Sequence, residues 1–262
     1  MVVMSQENLK SLYDEIEGCP FCRKEGNHLR HVFGAGVLNP DLMLVLINPT
    51  YRNLSARADY EGPRFPFIGV RQFWRVLAEG EVISRKVAYH LPLAARWTYD
   101  DSNAIQEELS LNRLFVTNIV KCCYSHSNYP SRSVIDLHVK YLAREIQIVK
   151  PKKIIAFGGL TFKTLTQLNI LLREYWANGD RGVFHKETIS GQEIPVIPCY
   201  FPIGRGNPKK AALVLRAFKH NDNNDREEVK INVSRLGDLD IPENASERQW
   251  LAPMTVHPAE TT

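Results

Sequence analysis

The sequence predicts an α/β protein in three layers, α/β/α, around a central, mainly parallel sheet of four strands. Three observations lead there. Four short apolar runs, rich in β-branched and large side chains, punctuate the chain. Stretches with helical spacing lie between or after them, and strands alternating with helices imply a parallel sheet covered on both faces. The chain has 262 residues, 44% hydrophobic and 24% charged, enough to bury one core of ordinary globular size and unlike a collagen, coiled-coil or wholly disordered composition.

In chain order, the expected strands are 42–47, 114–120, 153–157 and 194–200. Each is a short apolar run bounded by polar or turn-forming residues, the signature of a strand buried on both faces. The expected helices are 72–77, 134–149, 161–168 and 208–218, the last opening with Pro208 at a position where its missing N–H costs nothing. Ligands of such sheets sit beyond the carboxyl ends of the strands, which singles out the loops opening at Asn48, Asn118, Gly158 and Phe201. From Asn221 the periodicity fails. Residues 1–220 are therefore expected to form one domain and 221–262 an acidic, polar C-terminal extension.

The net charge of +4 is unevenly spread. The extension carries 4 Lys/Arg against 9 Asp/Glu, leaving 29 against 20 in the body, which is therefore +9. A basic body suits a phosphate-bearing partner such as a nucleic acid, and equally a solvated basic surface. No apolar run approaches the roughly 20 residues of a membrane span, and the N-terminus lacks a secretory pattern, so a cytoplasmic monomer with no membrane partner is expected.

Five cysteines occur: Cys19, Cys22, Cys122, Cys123 and Cys199. Cys19-Pro-Phe-Cys22 has the spacing of half a metal or redox site. It lies outside any strand-to-helix turn, which favours ligation over thioredoxin-like chemistry, and Cys122 offers a third soft ligand. Zinc, an iron–sulfur cluster and unconnected buried thiols all remain open at this level. Asn48, before Pro49, and Asn118, in an apolar run, put two amides at the mouth of the sheet. A buried amide either knits backbone together or reads a ligand edge. Phe67, on a loop flanked by Pro66, packs into the core or stacks on a flat base.

The ordered set Cys19-x-x-Cys22, Asn48-Pro49-Thr50, Gly62-x-x-x-Pro66-Phe67-Ile68-Gly69, Thr117-Asn118-Ile119-Val120-Lys121-Cys122 and Pro151-Lys152-Lys153-Ile154-Ile155-Ala156-Phe157-Gly158 resembles the uracil-DNA glycosylase superfamily, most closely its iron–sulfur branch, over residues 19–219. The resemblance implies DNA bearing damaged or deaminated bases as substrate, with Asn48 positioning the attacking water, Phe67 stacking on the flipped base and Asn118 reading its edge. It also implies a 4Fe–4S cluster on Cys19, Cys22 and Cys122, with His138 where the branch places its fourth cysteine; that substitution keeps zinc as the alternative.

The second catalytic motif departs from the family. Where His-Pro-Ser is usual, the chain reads Phe201-Pro202-Ile203-Gly204-Arg205-Gly206, so Arg205 is the remaining candidate for positive charge beside the departing base. Reduced activity is the expectation. The missing histidine also motivates the alternative of a catalytically silent nucleic-acid-binding relative that keeps the pocket and the metal site. Gly158-Gly159 after a strand suggests a nucleotide-binding enzyme more weakly, because the full dinucleotide or P-loop spacing is absent.

Overall fold

The computed structural model describes residues 2–19, 29–124, 130–177, 182–183, 185–189, 192–204, 206–219 and 228–229. Its helices of six residues or more are α1 (Val2–Glu17), α2 (Arg71–Glu79), α3 (Arg85–His90), α4 (Tyr99–Leu111), α5 (Arg132–Val149), α6 (Gly159–Thr166), α7 (Leu172–Ala177) and α8 (Pro208–Lys219). The strands are β1 (Ala35–Gly36), β2 (Leu42–Leu46), β3 (Leu114–Asn118), β4 (Ile154–Phe157), β5 (Gly182–Val183), β6 (His185–Ile189), β7 (Gln192–Cys199) and β8 (Glu228–Val229).

The main sheet has the order β1-β3-β2-β4-β7-β6. Its central four strands are parallel and are the four expected from sequence. The expected strand count is corrected from four to six, because β1 pairs antiparallel with β3 and β6 antiparallel with β7 at the two edges. A two-residue strand has no periodicity to read, and His-Lys-Glu-Thr-Ile is a polar sequence that edges tolerate and buried runs do not. Within residues 221–262, Glu228–Val229 pairs with Gly182–Val183; the remainder of that segment lies outside the described residues.

Alternation along the central strands sorts the core onto two faces. Leu42, Leu44, Leu46, Leu114, Val116, Ile155 and Phe157 pack with Phe73, Trp74, Val76 and Leu77 of α2 and with Ala212, Leu215 and Phe218 of α8. Met43, Val45, Phe115 and Ala156 pack on the other side against Val134, Leu142, Ile146 and Val149 of α5 and Phe162 of α6. The three layers follow from this double burial.

Helix ends are set by local chemistry. Thr98 Oγ1 accepts from Asp101 N at 3.3 Å while Asp101 Oδ2 accepts from Thr98 N at 2.7 Å, a capping box that starts the largely polar α4. Asn207 Oδ1 accepts from Lys210 N at 3.0 Å and starts α8. α5 stops where Lys150 turns left-handed ahead of Pro151.

Candidate functional site

The parallel ladder of β2 and β3 runs past the ends of both strands. Ile119 N donates to Leu46 O at 2.7 Å and Val120 N to Ile47 O at 2.9 Å, and Thr50 bridges Tyr124 in parallel. The chain segments carrying Asn48 and Asn118 thus leave the sheet side by side. Counting in twos from the strands, both residues continue the row of Leu44 and Leu46 or of Leu114 and Val116, the face covered by α2.

Asn118 is 1% exposed, and neither its Nδ2 nor its Oδ1 has a hydrogen-bond partner. Such a group costs about 1–3 kcal/mol unless something completes it. An amide offering one donor and one acceptor side by side matches an edge of the same pattern on a ligand. Asn48 is half-buried, and its Nδ2 donates to Pro49 O at 3.0 Å, which fixes the amide and presents Oδ1 as an acceptor.

Phe67 is also half-buried and packs onto the same core face, its ring stacked on Phe73 with centroids 3.8 Å apart. It adopts φ +66, uncommon for a residue with a bulky side chain. Its carbonyl is held by Trp74 Nε1 at 3.0 Å and Val70 N at 3.0 Å, so the surrounding structure enforces this conformation. The preceding loop is equally fixed. Asn53 Nδ2 and Ser55 Oγ both donate to Phe65 O, at 3.2 and 2.9 Å, while Arg64 donates to the carbonyls of Ser55, Arg57 and Tyr60. Sequence reading passed over Asn53, Ser55 and Arg64, whose signal is only polar residues near a Pro-rich turn.

The loop from Phe201 to Pro208 takes the place of the usual second motif. Asn207 N donates to Phe201 O at 2.9 Å and Gly206 N to Ile203 O at 3.0 Å. A Cβ on Gly206 would stand 1.9 Å from Phe201 O, and Gly204 has φ +59. The described part of the loop is therefore a tight turn feeding a capped helix, as its simplest sequence reading has it. Arg205 lies outside the described residues. Gly206→Ala is expected to displace this turn and lower the thermal unfolding midpoint by several degrees, whereas Gly204→Ala, with no atom within 4 Å of its added Cβ, strains only the backbone. Paired melting curves check the difference.

On the opposite face of the sheet, α5 meets the segment that follows Asn118. Cys122 Sγ lies 3.3 Å from His138 Nε2, and both residues are buried. Burial, with Lys121 and His31 nearby, lowers the His138 pKa to about 4, so the imidazole is neutral. Cys19 is buried, and the ring of Tyr141 is 5.5 Å from that of His138. Cys22 lies outside the described residues. Among the described residues no group of three or more potential ligands converges. The buried sulfur and nitrogen of Cys122 and His138 nevertheless have the chemistry of a soft-metal donor set, with the thiol as thiolate and the ligating ring nitrogen deprotonated.

Beside this pair sits a fully buried ion pair that sequence reading did not single out. Lys121 Nζ is 2.6 Å from Glu145 Oε2, and both side chains are 0% exposed. The ammonium also donates to Asn118 O at 2.6 Å and Thr117 Oγ1 at 2.5 Å, which uses its three protons. Glu145 Oε1 accepts from Tyr13 of α1 at 2.6 Å, and Oε2 from Thr117 Oγ1 at 2.9 Å. Burial lowers the Lys121 pKa against the pull of Glu145, and burial with the adjacent carboxylate holds that of Tyr13 well above its ordinary value. A signal was present: Glu145 follows His138 and Leu142 along the apolar face of α5, where a carboxylate needs a partner.

No helix among the described residues is long and apolar enough to cross a membrane. The family model described as "Uracil DNA glycosylase superfamily" matches residues 6–220. The chain is similar to proteins named "Type-4 uracil-DNA glycosylase" from three organisms. That of Pyrobaculum aerophilum is 25% identical over 198 residues, 74% of this chain and 83% of the relative. That of Saccharolobus solfataricus is 27% identical over 199 residues, 75% and 76%. That of Sulfurisphaera tokodaii is 24% identical over 227 residues, 81% and 83%.

Proposed function

The chain belongs to the uracil-DNA glycosylase superfamily, and on that premise we propose that it hydrolyses the N-glycosidic bond of uracil, or of another deaminated base, after flipping the nucleotide out of DNA. The observation that carries this reading is the pair of unpartnered polar atoms on buried Asn118. Flipping is required because the glycosidic bond is out of reach inside a duplex. It costs a few kcal/mol, least at a mismatch or in a single strand.

In this reading the extruded base stacks on the face of Phe67 away from Phe73, and Asn118 donates and accepts along its edge. Asn48 has no proton to exchange near neutral pH, so it is not a general base. Its Oδ1 accepts a hydrogen bond from water and aims a lone pair at C1′ as the bond to the base breaks. The departing base carries developing negative charge, which backbone N–H groups of the 201–208 loop or Arg205 meet in the absence of a histidine. Half-buried cations beside the two loops, Arg52 next to Tyr51 and Lys210 of α8 over the Tyr200 ring, suit phosphate contact.

Cys19, Cys22, Cys122 and His138 are proposed to hold a 4Fe–4S cluster, as the sequence resemblance to the iron–sulfur branch implies. Bound there, it supplies a rigid tie between the N-terminal segment and the sheet, and bond cleavage does not need it. Protein purified without oxygen is expected to contain iron and inorganic sulfide. Cys122→Ser should lose them and His138→Cys should keep them, as read by metal and sulfide analysis; zinc without sulfide identifies the alternative ion.

The test of the function is base release from single- and double-stranded oligonucleotides containing uracil, hypoxanthine or xanthine, read as alkaline cleavage at abasic sites. Release of uracil is expected. Salt-sensitive binding without release from any substrate would instead identify a silent relative that keeps the pocket.

A further inference from the structure

We propose that the buried Lys121–Glu145 pair is a positioning device for Asn118, locking the base-reading amide by its own main chain; the role given to Asn118 rests on the glycosylase reading above. The side chain of Asn118 has no partner to orient it, so its direction is set by its backbone. That backbone is gripped at one atom, the carbonyl, by Lys121 Nζ at 2.6 Å. The lysine reaches back across three residues and closes the turn through which the chain leaves β3.

The ammonium is itself fixed. Glu145 Oε2 holds it from α5, Thr117 Oγ1 from β3, and Tyr13 of α1 fixes the second carboxylate oxygen. α5 engages the same residue a second time, two turns earlier, where His138 Nδ1 accepts from Lys121 N at 3.4 Å. Layers on one side of the sheet thereby set the geometry of an amide that works on the other. A buried ion pair is a poor device for stability alone, since a well-packed apolar pair is often as stable. What an apolar pair lacks is a donor directed at one carbonyl.

The test uses Lys121→Met with Glu145→Gln, which removes both charges and keeps an unbranched side chain one atom shorter at 121 and the same shape at 145. The first readout is the side-chain amide signal of Asn118 in 15N-labelled full-length protein, assigned by its loss in Asn118→Ala. In the double variant it is expected to shift or broaden while that of Asn48 stays in place. The second is a cycle with Asn118→Ala. The double variant alone should slow single-turnover uracil release about 10–100-fold, yet add less than about twofold on the Asn118→Ala background, because both act through one amide.

An unmoved Asn118 signal, or losses that multiply in full, overturns the proposal. The amide signal is read whether or not the wild type releases a base, so a failed glycosylase reading is distinguishable from a failed positioning role. Should the double variant not fold, Thr117→Val removes one of the three acceptors with the charges still paired and carries the same comparison, with the same results supporting or overturning it.

Discussion

Asn118→Leu is expected to leave the protein as stable as the wild type, or slightly more so, and to slow uracil release roughly 10–100-fold. The two effects share a cause. In the free protein the amide is buried with both polar atoms unpaired, so an apolar side chain of the same branched shape removes a standing penalty. In the complex the same substitution deletes two hydrogen bonds to the base edge and leaves the base's own groups unpaired, about 1.4–2.8 kcal/mol if each bond has an ordinary value. Thermal unfolding and single-turnover release, measured on the same preparations, check both halves. A stability loss would mean that Asn118 knits the fold rather than reads a ligand.

Glu145→Ala is expected to destabilise the protein by about 3–5 kcal/mol, because it strands the Lys121 ammonium in a site with no access to water. It also leaves the Tyr13 hydroxyl without its carboxylate partner, so α1 loosens from α5. Against a typical total of about 5–15 kcal/mol, that is a large fraction. Removing both charges together, as in Lys121→Met with Glu145→Gln, should cost much less, since no unpaired charge is left behind. Denaturant unfolding of the single and double variants gives the comparison. Equal losses would show that the lysine finds water or another anion once Glu145 is gone.

What was legible in the sequence follows from what each residue's signal depends on. The four central strands could be read because they are buried on both faces, which makes them unbroken apolar runs. The edge strand His-Lys-Glu-Thr-Ile could not, because one neighbour and a polar sequence leave no such run. α4 is polar over most of its length, and its legible signal is the capping box from Thr98 to Asp101. Asn48, Phe67 and Asn118 stood out by their places at strand ends and beside prolines, and the fold puts all three on one side of the sheet or at its mouth.

The Lys121–Glu145 pair was harder to see. Its two members are 24 residues apart and meet only once α5 packs on β3. Sequence could offer a carboxylate on an apolar helix face, but not the cation that answers it. Phe67 shows the same limit at the level of backbone: its positive φ is imposed by Trp74 and Val70, and no local motif announces it.

The most direct measurement of the central claim is single-turnover uracil release by wild type and Asn48→Ala, with DNA affinity measured alongside. The expected result is release by the wild type, a loss of about 100-fold or more in the variant, and unchanged affinity for DNA. Equal release by the two proteins would take Asn48 out of the mechanism, and no release by folded, metal-replete wild type would contradict the glycosylase assignment itself.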